Sequence, residues 1–296
     1  MSDATFPYLD LSALETLRRV TIAPRNLTEG TYSGPFTSRY QGMSVEFADY
    51  RNYVPGDDIR LVDWKVFARN DRHYIKLFEA ERNFVAHIAL DNSASMAYAG
   101  TINTTPSKWE YACKLAAALG YIVIRDGNAL GLALGSAELE RYERPSNFQR
   151  HLSHLLSIVA KTRTSGKTDL AGYLESLFTR IRLRSILIVI SDFFDQNSDI
   201  WRVINLFRRS RFDVLLFQVL HPEELNLPDM PNARFFDMED RSLHFKVDID
   251  AIREAYQEKL DRFIKSMKDN AAIRGCEFYL ARTDMDPYKF IKRCFL

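Results

Sequence analysis

The sequence predicts an α/β fold: a doubly wound, mainly parallel sheet preceded by an N-terminal elaboration of short strands and turns. Three observations carry that expectation. From about residue 84, short apolar runs alternate with amphipathic stretches of helical length. The runs Phe84–Leu90, Ser185–Ile190 and Asp213–Leu220 are almost continuously apolar, as strands covered on both faces must be. Before residue 84 no such rhythm exists, and turn signals such as Gly30-Thr-Tyr-Ser-Gly-Pro35 and Pro55-Gly56 dominate.

Taken in order, a helix is expected over Leu11–Val20, where Leu11, Leu14, Leu17 and Arg18 fall at helical spacing. Short strands follow at Ser44–Phe47 and His73–Glu79. Phe84–Leu90 is the first buried strand and ends at Asp91. A helix then spans Ser107–Arg125, a strand Asn128–Leu134, and helices Phe148–Lys161 and Leu170–Ile181. Ser185–Ile190, a helix at Ile200–Arg209 and Asp213–Leu220 continue the alternation. Phe235–Met238 and Leu243–Val247 read as a hairpin ahead of a long helix, Ile249–Ala272, and a last strand at Cys276–Leu280. The division expected is a segment 1–83 packing on a main domain 84–296.

Composition narrows the function. Among 296 residues, 40 Lys plus Arg face 39 Asp plus Glu, a formal charge of +1, which argues against a basic nucleic-acid binder. An aromatic content of 12% and a charged content of 27% describe a folded chain rather than a disordered one. Cys113, Cys276 and Cys294 have no metal-type spacing and read as reduced thiols. The N-terminus lacks the apolar stretch of a signal peptide, and no apolar run is long enough to span a bilayer. A cytoplasmic protein without a membrane span is expected.

In open α/β sheets the ligand site lies beyond the carboxyl ends of the strands. There the sequence places Asp91-Asn-Ser93-Ala-Ser95 after the first buried strand and Ser191-Asp192 after a later one. Gly166-Lys-Thr168-Asp169 opens a helix between them. Two carboxylates with several hydroxyls form an oxygen-only set that suits a hard cation such as Mg²⁺, not zinc. The bland alternative for Ser93 or Ser95 is a helix cap.

This pattern resembles the metal-ion-dependent adhesion site of von Willebrand factor A domains, which have a Rossmann-type sandwich. The resemblance implies Asp91, Ser93, Ser95, Thr168 and Asp192 as ligands of Mg²⁺, Mn²⁺ or Ca²⁺, with one position open for a partner's carboxylate. A second stretch, Glu46-Phe-x-Asp49-Tyr50-Arg51-x-Tyr53-x-Pro55-Gly56-Asp57-Asp58-x-Arg60-x-x-Asp63-Trp64 continuing to Ala68-Arg69, resembles a bacterial family, the domain of unknown function fifty-eight. Its members carry an A-type domain and are often encoded beside MoxR-type AAA+ ATPases. That implies a non-enzymatic adaptor whose partner is such an ATPase or its client. In the Glu46–Arg69 stretch, Arg51, Tyr53, Asp57, Asp58 and Trp64 are candidates for partner docking, with an ion-pair network as the plainer reading.

Other readings are weaker. A metal-dependent phosphoester hydrolase, with Asp91 and Asp192 holding the ion, is the alternative function. An aspartyl phosphatase would need an acid where Ser93 stands. Ser165-Gly-Lys-Thr168 ends like a P-loop, but Lys161 occupies the place of its first glycine. His151 and His154 read as surface or partly buried helical histidines, His87 as a residue at the core's edge, and Arg208–Arg211 as the basic end of a helix.

Overall fold

The computed structural model describes residues 7–24, 45–54, 59, 62–70, 72–80, 84–101, 105–181, 185–195, 199–228, 233–236, 238 and 244–296. The chain divides into two compact units, residues 29–83 and residues 1–28 with 84–296.

In the smaller unit, strand β1 (Val45–Asn52), helix α1 (Trp64–Asn70) and strand β2 (Tyr74–Ala80) follow one another, and β1 pairs antiparallel with β2. The register slips between Phe47 and Asp49, the signature of a bulge. His73 gathers the aromatic rings: Phe67 lies 4.3 Å from it, Tyr53 6.1 Å and Trp64 6.5 Å, centroid to centroid.

The larger unit contains β3 (Val85–Asp91), α2 (Lys108–Arg125), β4 (Ala129–Gly135), β5 (Leu139–Ser146), α3 (Gln149–Lys161), α4 (Leu170–Arg180) and β6 (Ser185–Ser191). Then come α5 (Ile200–Arg209), β7 (Asp213–Leu220), α6 (Pro222–Leu225), β8 (Ala233–Phe236), β9 (His244–Val247), α7 (Ile249–Ile273), β10 (Glu277–Arg282) and α8 (Pro287–Phe295). Six strands form one sheet in the order β10-β7-β6-β3-β4-β5. All neighbours are parallel except β4 and β5, which form an antiparallel edge, while β8 and β9 make the expected separate hairpin. The mainly parallel, doubly wound sheet is thus present.

Period-two alternation divides the strands between two cores. Ala86, Ile88 and Leu90 of β3, Ile186, Ile188 and Ile190 of β6, and Leu215, Phe217 and Val219 of β7 face one core with α2, α3 and α8. Ala89, Leu187, Val189, Val214 and Leu216 face the other with α4, α5 and α7. Apolar side chains on both strand faces leave no solvent-facing side, which explains the continuous apolar runs.

Three expectations require correction. The N-terminal helix is a single 3₁₀ turn, Ala13–Leu17, because its register is set by anchoring rather than by propensity. Leu17 and Val20 are fully buried, and the Arg125 guanidinium donates to Leu17 O at 2.7 Å and to Val20 O at 2.5 Å. The same contacts place residues 7–24 in the larger unit, so the N-terminal 83 residues are not one segment. Finally, His87 lies in a central strand at 2% exposure, inside the core and not at its edge. The remaining side-chain readings agree with their positions: His151 Nε2 is 3.0 Å from Leu130 O on a half-buried helix face, and Arg208 ties the end of α5 to Asp213 at 2.9 Å.

Among the described residues, no helix is long and apolar enough to cross a membrane. All three cysteines are free.

Candidate metal site at the sheet switch point

β3 lies between β4 and β6, and the chain winds outward from it in both directions. This is the point where strand order reverses and crossover connections part, the place where open α/β sheets bind their ligands. Register aligns Leu90 with Ile190, so Asp91 and Ser191 are the next residues on adjacent strands. Ser191 Oγ donates to Asp91 Oδ2 at 2.6 Å, and the Ser93 N–H donates to Asp91 Oδ1 at 2.8 Å. Asp91 is fully buried. Burial, and then the charge of Asp192, push its carboxyl up to about 7 against the pull of the Ser191 and Ser93 hydrogen bonds.

The first loop turns at once into a 3₁₀ helix, Ala94–Ala97. Ser93 occupies its N-cap position, yet its hydroxyl caps no backbone N–H. Instead Ser93 Oγ lies 3.1 Å from Ser95 Oγ. The cap reading therefore fails for Ser93, and the two hydroxyls converge. Their spacing is close to the edge of an octahedron with bonds of about 2.0–2.1 Å, which is about 2.8–3.0 Å.

Backbone hydrogen bonds stitch the second loop to the first: Ser165 N donates to Asn92 O at 2.9 Å and Ala94 N to Gly166 O at 3.1 Å. Gly166 takes φ of +82°, a conformation open to glycine without strain. Thr168, half-buried, follows two residues later beside Asp169, whose side chain caps α4 by accepting from Gly172 N. The third loop joins them through Asp195 Oδ2, which accepts from Leu170 N at 2.9 Å. Within it Phe193 is held at φ of +58°, an uncommon backbone state for a bulky residue directly after Asp192.

The folded chain thus gathers the loops bearing Asp91, Ser93, Ser95, Thr168 and Asp192. The docking candidates belong to the other unit. There Trp64 is 54% exposed, Arg51 is exposed with Nη1 on Asn52 O, and Tyr53 is half-buried. Asp57 and Asp58 lie outside the described residues, as do most side chains of the supposed ion-pair network.

Sequence reasoning missed two charged side chains that the fold buries next to Asp192. Lys108, the first residue of α2, is 1% exposed, and its Nζ donates to Asp192 Oδ2 at 2.7 Å and to Glu224 Oε1 at 2.6 Å. Burial opposes the ammonium charge, and Asp192 and then Glu224 outweigh it, so Lys108 is held above its ordinary range. A signal existed: a lysine in a first helical turn opposes the helix dipole and needs another reason to be there. Glu224 opens α6 at the end of β7, the same edge of the sheet. Burial raises its carboxyl despite Lys108.

The donors fit a weakly held hard cation. Asn92 Oδ1 and Gln218 Oε1 are buried acceptors beside the site without a hydrogen-bond partner, although Gln218 Nε2 donates to Asp192 O. Water carried by an ion would satisfy such acceptors. Among the described residues no group of three His, Cys, Asp or Glu side chains is placed to hold a metal ion.

The chain matches, over residues 49–263, the family described as protein of unknown function DUF58. It belongs to that family. This DUF58 protein is 28% identical to an uncharacterized protein of Mycobacterium tuberculosis over 283 residues, covering 91% of the chain and 84% of the relative. It is 29% identical to the uncharacterized protein YeaD of Bacillus subtilis over 134 residues, 45% of the chain and 31% of YeaD. Among solved structures, BatB from Bacteroides thetaiotaomicron aligns with a TM-score of 0.48 at 15% identity, covering 71% of this chain and 96% of BatB. The SpRpn10 VWA domain aligns with a TM-score of 0.41 at 11% identity, covering 71% and 93%.

Proposed function

We propose that this DUF58 protein is a non-enzymatic, metal-dependent protein-interaction module. Asp91, Ser93, Ser95, Thr168 and Asp192 would hold Mg²⁺, or Mn²⁺ or Ca²⁺ in its place. The ion would supply an electrophilic position that an acidic side chain of a partner completes. The observation that carries the reading is the stitching of three separate loops at the switch point, with two serine hydroxyls facing each other beside a buried carboxylate. Family resemblance alone points to the partner, a MoxR-type AAA+ ATPase or its client in assembly or chaperone activity.

In this reading the chain's own residues have distinct tasks. Ser93 and Ser95 present hydroxyl oxygens. Asp91 stays behind them, oriented by Ser191 and the Ser93 N–H. Asp192 is oriented by the Phe194 N–H, which donates to Oδ1 at 3.0 Å. The test is thermal unfolding in EDTA and in excess Mg²⁺ or Mn²⁺, for wild type and Asp91→Ala. Ion at one hundred times Kd should stabilise wild type by about 2.7 kcal/mol and leave the variant unmoved. A wild type indifferent to both ions sinks the metal reading. A pulldown in Mg²⁺ and in EDTA then tests the partner, which should be lost both in EDTA and with Asp91→Ala.

A further inference from the structure

We propose that Lys108 is a built-in counter-cation of the metal face: its ammonium clamps Asp192 to Glu224 and so sets how weakly a divalent ion is held. The proposal rests on the metal reading above. Its observations go beyond that reading, because they concern a buried ion triad of which the ligand pattern contains Asp192 alone.

Lys108 has no helical reason for its position, since Ser107 already caps α2 by accepting from Glu110 N at 3.1 Å. Its side chain instead reaches into the protein, where Phe194 and Tyr98 lie 5.4 and 6.0 Å from Nζ, ring centroid to nitrogen. Both of its carboxylate partners are fixed. Asp192 is fully buried. Glu224 Oε2 accepts from His221 N at 2.8 Å, and its backbone carbonyl accepts from the Tyr256 hydroxyl at 2.7 Å. The ammonium is thus suspended between two rigid anions that come from the ends of neighbouring parallel strands, β6 and β7.

The consequence for a metal is electrostatic. Asp192 is the one ligand that belongs to both systems. Its Oδ2 receives Lys108 and its Oδ1 receives the Phe194 N–H, so a divalent ion on the serine hydroxyls meets a carboxylate already satisfied. Behind that carboxylate stands a like charge in a medium that screens poorly. Lys108 with Asp192 and Glu224 sums to −1, and without the lysine to −2. Removing the ammonium should therefore tighten ion binding even though it weakens the fold. A lysine whose only role is packing would not move the two quantities in opposite directions.

The experiment uses the full chain and Mn²⁺ alone, with free ion followed by electron paramagnetic resonance. Lys108→Met should bind Mn²⁺ at least about tenfold more tightly than wild type. Equal or weaker binding by the folded variant overturns the proposal; the metal reading survives that result if wild type binds and Asp91→Ala does not. Binding by neither protein overturns both. Should Lys108→Met fail to fold, Glu224→Gln gives the second measurement. Lys108 would then serve Asp192 alone, and Mn²⁺ affinity should fall several-fold, about three to ten times. Unchanged affinity in Glu224→Gln overturns the proposal.

Discussion

In metal-free protein, replacing Lys108 by Met should cost about 3–5 kcal/mol of stability. The magnitude follows from what remains behind. The lysine side chain is 1% exposed, Asp192 0% and Glu224 16%, so truncation leaves two anions in a water-poor site without a counter-ion. Such a loss is far larger than that of an exposed pair, at about 0–1 kcal/mol. It corresponds to a fall in Tm on the order of 10 °C for a domain of this size. Urea unfolding in EDTA near neutral pH measures it directly. The decisive comparison is the triple variant Lys108→Met, Asp192→Asn, Glu224→Gln, in which no buried charge is stranded. It should recover most of the loss, because replacing every member of a buried ion group is often neutral. A single variant that loses less than about 1 kcal/mol would refute the reasoning. So would a triple variant no more stable than the single.

Three further outcomes are expected. Burial holds the His87 imidazole down to about 4, so the unfolded chain binds more protons between that value and about 6.5. Stability should therefore fall as pH drops through this window, by about 3 kcal/mol in full, and His87→Gln should flatten the profile of urea midpoints. Gly166→Ala forces an alanine to φ of +82° with its Cβ 3.1 Å from Ser136 Oγ; it should cost about 1–3 kcal/mol and weaken Mn²⁺ binding by shifting the loop that carries Thr168. Arg125→Met removes both guanidinium bonds to Leu17 O and Val20 O, and should cost about 2–4 kcal/mol while exposing residues 7–24 to earlier cleavage in limited proteolysis.

What the sequence discloses depends on how local the cause is. β3, β6 and β7 were legible because burial on both faces makes an unbroken apolar run, and α7 because its amphipathic pattern persists over 25 residues. β5 was not, since Leu139-Glu-Arg-Tyr-Glu-Arg-Pro-Ser146 is an edge strand whose side chains are mostly half-buried or exposed, with no apolar run to mark it. α8 was missed for a related reason. It is short, and its Asp286 cap and Pro287 start are visible only if a helix is already sought there. In the opposite direction, the leucine spacing over Leu11–Val20 promised a helix, but Arg125 and the core fix that segment from outside.

The candidate site divides along the same line. Asp91, Ser93 and Ser95 are neighbours in sequence, and Thr168 and Asp192 stand at predictable strand-end or helix-start positions, so pattern alone collects them. Lys108 and Glu224 are 116 residues apart and meet only because β6 and β7 are adjacent, with α2 opening beside them. Neither residue is part of the metal pattern, so that pattern does not collect them, and the only local mark is a lysine set against the helix dipole at Lys108. Yet the matched family region, residues 49–263, contains both of them and every proposed ligand. The triad therefore belongs to the same stretch of chain as the metal pattern, and a variant series that treats the five proposed ligands alone would leave the Lys108 charge unchanged. Asp192 is where the two systems join. Its replacement by Asn changes a proposed ligand and releases Lys108 together, and only the Lys108→Met background separates those effects.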